Sequence, residues 1–523
     1  MTKRRIYFLI ILSVLIPITA VLYHRFTITT ASLTKMASPA KQSVIVVGAG
    51  LAGLSASYSA LQASAPSVRL LERASKPGGN SIKASSGING APTRFQNVEK
   101  YGVDDKFLDD TARSAGIRLN SADVSPAVKK QREALISTLT KRSASAIEFL
   151  ADLGVDLSVV AQLGGHSLPR THRGAGKTPP GAAIVTTLLG KLKEQEGFEL
   201  VTDVEVTKLL RDGEAVTGVE YRDRKDESIH KLHGPVVFAT GGFAGDTHGL
   251  LAKYRPDLDG LPSTNDPRPG AHTVLEEVGA KLVDMDSVQI HPTGFVDPAN
   301  TEAAVKFLAA EMLRGEGGVL LYKGRRVVNE LETRERVSNA LMALPRDETS
   351  GGGLKQWDVQ LLLDPGAAEA AAGHVGFYLW KGLLQKRKIG ELDEQTRHTL
   401  KEYAAVAAGK KEDVLGRKAF GHWRLTEEDI DNGEQEVLVG RVTPITHFTM
   451  GGAVFNEHAQ LLASELGGEE EKPIQGLWGA GEITGGLHGD NRLGGSSLLE
   501  CVVFGRIAGE EAAKMITAAG KEV

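Results

Sequence analysis

The sequence predicts an α/β protein whose parallel sheet is interrupted by an inserted second domain. A strand, a glycine turn and a helix follow one another from Val44, and two further apolar strands, near Val236 and Gly476, also end in glycine. Strands of this kind at three distant places indicate one sheet built from separate pieces. The segment between Asp286 and Thr443 has apolar residues of its own and is interpreted as the inserted domain.

The first unit has the spacing of a dinucleotide-binding turn. Four β-branched residues, 44–47, predict a buried parallel strand, and Gly48, Gly50 and Gly53 follow with G-x-G-x-x-G spacing. Gly48 permits the tight turn, Gly50 lets a pyrophosphate approach the backbone, and Gly53 lets the helix pack on the strand. The phosphates would lie on the free N–H groups at the helix start.

A carboxylate at the end of the second strand supports the same interpretation. This apolar strand, from Ser67 to Leu71, is followed by Glu72, 24 residues after Gly48. A carboxylate at this distance can accept hydrogen bonds from an adenosine ribose. We therefore expect a Rossmann-like dinucleotide-binding domain; the resemblance described below implies that it is of the glutathione-reductase type.

Composition narrows the class of protein. A chain of 523 residues is too long for one ordinary core, and its net charge of −4 without a large basic block argues against nucleic-acid binding. The single cysteine, Cys501, excludes an internal disulfide, a Cys-x-x-Cys redox pair and haem attachment through Cys-x-x-Cys-His. Any electrons that the protein transfers would pass through a bound organic cofactor.

The amino terminus predicts a targeting segment. Lys3, Arg4 and Arg5 precede an apolar run over residues 6–23, which is near the lower limit for crossing a bilayer. We expect a hydrophobic helix that acts as a signal anchor, with the protein in the endoplasmic reticulum membrane or lumen. A cleaved signal peptide, a mitochondrial location and a cytosolic form that starts at Met36 remain alternatives.

The domain boundaries follow from these patterns. We expect the targeting segment and linker over 1–40, the first part of the nucleotide-binding domain over 41–286, the inserted α+β domain over 287–443, and the second part of the nucleotide-binding domain over 444–523. Alternating apolar residues between Phe198 and Leu232 also predict a small antiparallel sheet.

Several further motifs occur in a fixed order. They are Gly78-Gly79-Asn80-Ser81, His291-Pro292-Thr293, Glu311-Met312-Leu313-Arg314-Gly315, Thr333-Arg334, His447-Phe448-Thr449-Met450-Gly451-Gly452 and His488-Gly489-Asp490-Asn491-Arg492-Leu493-Gly494-Gly495. With the glycine turn, this set resembles the FAD-dependent fumarate reductase/succinate dehydrogenase flavoprotein family. Within that family the chain is most similar to the soluble single-subunit fumarate reductases of fungi.

The resemblance implies FAD as the cofactor. The positions that would contact it are Gly48, Gly50, Gly53, Glu72, Asn80, Ser81, Ser85, Ser86, Gly87, Val204, Glu482, Ser497 and Leu498. Relatives that bind FAD covalently carry a histidine after the Gly-Gly pair, where this chain has Asn80-Ser81-Ile82-Lys83, so non-covalent FAD is expected.

The resemblance also implies a reaction, the reduction of fumarate to succinate. Arg492 would clamp one substrate carboxylate while His291 and His447 donate hydrogen bonds to substrate oxygens. Arg334 would be the proton donor. Glu311 and Arg314, three residues apart on a predicted helix, would share a face and relay protons from solvent.

Other functions stay open. One is a related flavoprotein acting on another dicarboxylate, of the L-aspartate oxidase or urocanate reductase type, and another is a flavin-binding protein without turnover. The segment from Asp266 to His272 replaces a Thr-Gly-Asp-Gly segment that contacts the flavin in relatives, which puts FAD affinity in question. We expect a monomer that receives electrons from a diffusible donor such as reduced FAD or FMN, with membrane contact through the amino-terminal segment only.

Overall fold

In the computed structural model, which describes residues 43–176, 178–348 and 353–519, the strand Val44–Val47 lies inside a six-stranded sheet. The strands in spatial order are Gln460–Leu462, Pro473–Gly479, Val236–Phe238, Val44–Val47, Val68–Leu71 and Phe198–Val201. The pair of strands at the Gln460–Leu462 edge is antiparallel, and the other four pairings are parallel. The three pieces of sheet predicted from the glycine pattern are therefore neighbours in one sheet.

Two helices cover the centre of this sheet. The first, Leu51–Gln62, follows the glycine turn, and the last, Ser496–Ala519, packs against it. A Cβ at Gly505 would lie 2.5 Å from the carbonyl oxygen of Ala52, and one at Gly509 would lie 2.1 Å from that of Ala56. Glycines on successive turns of the last helix thus let the two backbones approach closely.

A second, seven-stranded sheet lies between residues 288 and 449. Its strands are Phe307–Leu308, Val288–Phe295, Glu436–Thr449, Val359–Leu363, Val319–Tyr322 and Arg325–Arg326, with Gln385–Lys388 also paired to Glu436–Thr449. All of its pairings are antiparallel. A separate hydrophobic cluster, which includes Phe295, Leu361 and Val442, forms its core.

Three small sheets complete the strand structure. They comprise Ile88–Asn89, Thr171–Arg173 and Val159–Ala161; Val204–Asp212, Ala215–Asp223 and Ile229–His233; and Leu282–Val283, Gly452–Val454 and Thr484–Gly485. The predicted antiparallel sheet between residues 198 and 232 is correct for its last three strands. The prediction is wrong for Phe198–Val201. This strand pairs in parallel with Val68–Leu71 and forms one edge of the six-stranded sheet.

The α-helices are mostly short. They are Leu51–Gln62, Val98–Tyr101, Phe107–Ser114, Ile117–Asn120, Pro126–Lys141, Ser143–Asp152, Pro180–Lys193, Leu250–Tyr254, His272–Glu276, Met312–Gly315, Arg334–Met342, Pro365–Ala370, Ala372–Trp380, Glu394–Ala407, Glu427–Asn432 and Ser496–Ala519. Single 3₁₀ turns occur at Ser81–Lys83, Pro256–Leu258 and Ile389–Glu391.

The predicted domain division stays a prediction. Residues from Ser43 onward group into one compact unit, and the strand Glu436–Thr449 runs across the expected boundary at residues 443 and 444. The predicted amino-terminal hydrophobic helix lies outside the described residues. Among the residues that are described, none of the helices combines the length and apolarity needed to cross a bilayer.

A buried histidine occupies the segment that departs from the family motif. His272 is fully buried, its ring lies edge-on to Phe243 with centroids 5.2 Å apart, and neither ring nitrogen has a hydrogen-bond partner among the described residues. Burial lowers the pKa of His272 to about 4. The folded state therefore holds this side chain neutral at pH values where an unfolded chain would protonate it.

This burial predicts a loss of stability in acid. As the pH falls from about 6.5 towards 4, His272 binds a proton in the unfolded chain but not in the folded one. This difference lowers the free energy of unfolding by about 2 kcal/mol at pH 5. The variant His272→Leu should lose less unfolding free energy between pH 7 and pH 5 than the wild type in urea titrations. The exposed control His398→Gln should behave like the wild type. An equal acid loss in His272→Leu would contradict the assignment.

Candidate functional site

A long cavity lies where the parallel strands of the main sheet end. Of the thirteen residues expected to contact a cofactor, twelve line it, and the exception is Gly53. The twelve come from distant parts of the chain, as ligand-binding residues at the carboxyl edge of a parallel sheet do.

The glycine turn has the geometry that its spacing predicts. Gly48 has a φ of +101°, and a Cβ there would lie 2.4 Å from the carbonyl oxygen of Ala239. A Cβ at Gly53 would lie 1.9 Å from the carbonyl oxygen of Gly48, so this glycine permits the turn and helix to pack closely instead of lining the cavity. A Cβ at Gly50 would meet only Ser81 Oγ, at 3.8 Å, so a ligand can approach the backbone there.

The carboxylate of Glu72 lies beside this turn. Its Oε2 accepts a hydrogen bond from the backbone N–H of Ala49 at 2.7 Å, and its Oε1 accepts one from that of Ala74 at 2.8 Å. Both bonds fix the carboxylate at the cavity wall, where each oxygen still has acceptor capacity for a ribose hydroxyl. Val204, the least obvious of the expected residues, donates its N–H to the carbonyl oxygen of Glu72 at 3.1 Å.

Two hydroxyls on the cavity wall have no partner. The Oγ of Ser85 and the Oγ1 of Thr240 make no hydrogen bond to any described residue, although each atom is inaccessible to bulk water. Buried hydroxyls normally find a partner, so these two indicate a polar ligand in the cavity. The first turn of the last helix contributes Ser497 and Leu498 nearby.

Glu482 and Glu500 make part of the cavity wall acidic. Oε1 of Glu482 accepts hydrogen bonds from the backbone N–H of Thr449 at 2.8 Å and from its hydroxyl at 3.1 Å, and burial together with Glu500 raises the pKa of Glu482 to about 7. Burial, with Glu500 and Glu482 near, also raises the pKa of Cys501 well above the ordinary thiol value. The chain's single thiol therefore stays protonated on the cavity wall.

Two histidines meet because two antiparallel strands bring them together; His447 lines the cavity, whereas His291 is fully buried and contacts His447. His291 comes from Val288–Phe295 and His447 from Glu436–Thr449, and their ring centroids are 5.4 Å apart. Burial, helped by the charge of Arg334, lowers the pKa of both rings well below the usual histidine value. Both are therefore neutral at physiological pH.

The hydrogen bonds of His291 fix which nitrogen carries the proton. Its Nδ1 accepts from the backbone N–H of Thr293 at 3.2 Å, so the proton is on Nε2. That Nε2–H is buried and has no partner among the described residues. It can donate to a ligand oxygen, which is the role expected from the sequence. His447 has Thr264 Oγ1 3.3 Å from its Nδ1.

Arg334 and Glu311 form a buried ion pair. Arg334 donates from Nε to Oε2 of Glu311 at 2.7 Å, and its Nη2 lies 2.5 Å from the same oxygen. Burial alone would raise the pKa of Glu311, but Arg334 and Arg314 outweigh it and hold that pKa below its ordinary value. The carboxylate is thus ionised and in direct contact with the proposed proton donor.

Arg314 is placed differently from the expectation. It is buried in the same turn as Glu311, yet its Nη1 donates to the backbone oxygen of Glu330 at 2.6 Å, and the described residues show no hydrogen bond between its side chain and Glu311. Its Nε and Nη2 have no described partner, and burial lowers the pKa of Arg314. Arg334 is therefore in direct contact with Glu311, whereas Arg314 acts on Glu311 through its charge alone.

Arg492 and Arg334 are joined by a residue that the sequence analysis missed. Gln289 Oε1 accepts from Nη2 of Arg492 at 2.9 Å and from Nη1 of Arg334 at 3.0 Å. Its amide nitrogen donates to Asn491 and to the backbone oxygen of Arg492. The only signal in the sequence was its position two residues before His291, and this signal is weak because the strand pairing shifts register directly after Gln289.

The electrostatics of Arg492 suit an anionic ligand. Its guanidinium lies 4.3 Å from the ring centroid of Phe448, and its Nε has no described partner. Burial, reinforced by Arg334, lowers the pKa of Arg492 to about 9, so it stays charged at neutral pH. Two arginines and two neutral histidines in a desolvated end of the cavity can bind a small dianion and place an arginine proton beside it.

Known proteins resemble this chain over most of its length. Residues 43–498 match the family of the FAD binding domain. The chain is 39% identical over 508 residues to a fumarate reductase of Schizosaccharomyces pombe, covering 93% of this chain and 91% of the relative. It is 39% identical over 493 residues to fumarate reductase 1 of Saccharomyces cerevisiae, covering 90% and 98%.

A solved structure shares the fold. The open conformation of a flavocytochrome c3 fumarate reductase superimposes with a TM-score of 0.69 at 30% identity, covering 93% of this chain and 81% of that one. The family match includes the glycine turn, both histidines and Arg492. The chain therefore belongs to the family of proteins built on this FAD-binding domain.

Proposed function

We propose that this chain is an FAD-dependent oxidoreductase that reduces fumarate to succinate. The observation that carries the proposal is the pairing of Arg334 and Arg492 on one oxygen of Gln289, next to His291 and His447. The two yeast relatives named fumarate reductase, each 39% identical, support it.

The residues of the cavity fit FAD. Gly50 leaves open space for a pyrophosphate, Glu72 presents a carboxylate beside the turn, and the Ser85 and Thr240 hydroxyls await a polar partner. When bound and reduced, FAD supplies the hydride for one alkene carbon of fumarate. The short segment Ser81–Lys83 contains no histidine, which supports non-covalent attachment.

Fumarate carries two carboxylates, and the chain offers donors of two strengths. Arg492 can hold one carboxylate through a charge-assisted, two-point contact. The Nε2–H of His291 and the ring of His447 can hold the other carboxylate as neutral donors. This uneven binding draws electron density toward one carboxylate and leaves the alkene carbon β to it, not the one next to it, more open to hydride attack.

Arg334 supplies the proton to the second alkene carbon. An arginine is a weak acid, but its transfer is aided because Glu311 holds the guanidinium by two contacts and can return a proton to it. Arg314 and Arg334 hold the pKa of Glu311 low, so the carboxylate is a base that passes a proton on without keeping it. Arg314 would support this pair through its charge, because its side chain is buried and bonded to the backbone of Glu330.

The second sheet would act as a capping domain over the flavin. Its strands supply His291 and His447, and the helix Arg334–Met342 supplies Arg334. Arg492 instead comes just before the helix Ser496–Ala519, which packs on the six-stranded sheet. A site assembled in this way can exclude water when it closes. We further propose a diffusible reduced flavin as electron donor, a monomer, and placement in the endoplasmic reticulum through residues 1–40.

The reaction can be tested with a substrate panel. The purified yellow protein is given dithionite-reduced methyl viologen, and donor oxidation is followed on adding fumarate, oxaloacetate, urocanate or iminoaspartate. Fumarate should be the fastest acceptor and succinate its product. Faster reduction of urocanate or of iminoaspartate would move the chain to another substrate class. A flavin-loaded protein inert with every acceptor would favour a binding protein.

Removal of the proton donor should abolish turnover without loss of flavin. In Arg334→Ala, we expect fumarate reduction to fall by roughly three orders of magnitude, because a positioned general acid contributes about 10²–10⁴-fold. The visible spectrum and flavin content should match the wild type. The matched control is Arg336→Ala, an exposed arginine two residues along the same helix that pairs with Glu332, and it should keep wild-type activity. Substantial activity in Arg334→Ala would overturn the assignment.

The shared acceptor Gln289 should control substrate affinity. In Gln289→Glu the two arginines gain a carboxylate partner, which competes with the substrate for their charge, so KM for fumarate should rise about tenfold or more while melting temperature is kept. Gln289→Met removes the acceptor and should lower kcat/KM by about tenfold. Gln360→Met, on the strand Val359–Leu363 of the same sheet but two strands away, is the control. Unchanged kinetics in both Gln289 variants would refute this role.

Because His291 and His447 are neutral, we expect no histidine ionisation in the pH dependence of kcat/KM near neutral pH. Because kcat/KM reports the groups of the free enzyme, and the pKa values of His291 and His447 lie well below 6.5, no histidine ionisation should appear between about pH 6 and 8. The histidines should affect activity only in stronger acid, as the rings begin to protonate, whereas changes near pH 7 and near pH 9 would report Glu482 and Arg492. Steady-state fumarate reduction at constant ionic strength measures this. A loss of kcat/KM on raising the pH through 6.5 would show that a charged histidine is required.

A further inference from the structure

Five cationic side chains line the cavity, and three of them are already paired with acids. Arg73 pairs with Glu205, Lys83 with Asp266, and Arg334 with Glu311, whereas Arg492 and Arg268 form no ion pair with any described residue. Arg492 lies at the substrate end. The cation without an assigned partner is therefore Arg268.

Arg268 lies near the glycine turn. A Cβ built on Gly241 would lie 3.3 Å from Nη2 of Arg268, and one built on Gly48 would lie 3.1 Å from the Cα of Thr240, the residue before Gly241. The guanidinium is thus separated from the turn by one short stretch of backbone. Its own backbone N–H is anchored on the carbonyl oxygen of Gly245 at 3.1 Å.

Two further features near the glycine turn favour an anion. The hydroxyl of Thr240 has no described partner, and the amino-terminal end of the helix Leu51–Gln62 has no acidic residue in its first turn. Helix amino termini and guanidinium groups both favour anions. Backbone groups, a hydroxyl and one free cation together form a site for a doubly charged phosphate group.

We infer that Arg268 binds the pyrophosphate of FAD. The segment from Asp266 to His272, which lacks the acidic motif of relatives, thus contributes a base to the cofactor instead of an acid. Asp266 secures this segment through its ion pair with Lys83 at 2.6 Å, and Gly270 through its N–H bond to Asp246 at 3.1 Å. The altered segment would therefore strengthen cofactor binding through charge, the opposite of the weak FAD affinity considered above.

The test measures FAD release from the purified flavoprotein and does not depend on fumarate turnover. Flavin fluorescence on dilution gives the dissociation constant for wild type, Arg268→Gln and Arg268→Lys. Loss of a charge-assisted contact should weaken FAD binding about ten- to hundredfold in Arg268→Gln. Arg268→Lys should recover part of this loss because the charge remains. The control Arg211→Gln removes an exposed arginine outside the cavity and should leave FAD affinity unchanged.

Salt dependence separates an ionic contact from a structural one. Because screening weakens ionic contacts, wild-type affinity for FAD should fall with added NaCl more steeply than that of Arg268→Gln. Equal affinities and equal salt slopes for the two proteins would overturn the inference and leave Arg268 as a solvated side chain. A fall in FAD affinity in Arg268→Lys as large as in Arg268→Gln, with a lowered melting temperature in both, would also overturn it.

Discussion

One neutral oxygen holds two buried positive charges together, and the substrate end of the cavity depends on it. Arg334 and Arg492 repel each other in a poorly solvated environment, and only Arg334 has a carboxylate in contact. Gln289 orients both guanidinium groups and leaves their positive charge intact. An acid in its place would cancel part of that charge. In the proposed function, a dicarboxylate dianion would supply the opposite charge that Arg492 lacks among the described residues.

The pairing of two strands places the remaining groups. The residue pair Gln289 and Phe448 is in register across Val288–Phe295 and Glu436–Thr449, and irregularities in the pairing follow on either side of His291. Such irregularities turn side chains away from a regular alternation, which lets His291 and His447 face each other. Thr293 then sets the tautomer of His291 through its backbone N–H. The neutral-donor chemistry is therefore a property of the strand backbone as much as of the histidines.

Much of this could be predicted from the sequence, because local patterns carried it. Four buried valine or isoleucine residues, three spaced glycines and Glu72 determined the turn and its sheet position, and the ordered motifs indicated the substrate residues. Interactions that join distant positions could not be predicted. The partnership of Gln289 with two arginines spans about 200 residues of chain, and the short apolar strand Phe198–Val201 is compatible with either sheet. Whether Arg268 has a partner is likewise visible only in three dimensions.

The protonated state of Cys501 makes this protein convenient for labelling. The thiolate is the form of cysteine that attacks maleimide-type reagents, and the only native thiol is held protonated on the wall of the cofactor cavity. A single cysteine introduced at an exposed position, such as Val414→Cys at a site that is 96% exposed, would therefore take up a probe selectively. Spectroscopic labels on the part of the chain that carries His291 and Arg334 could then report its movement in an otherwise native background.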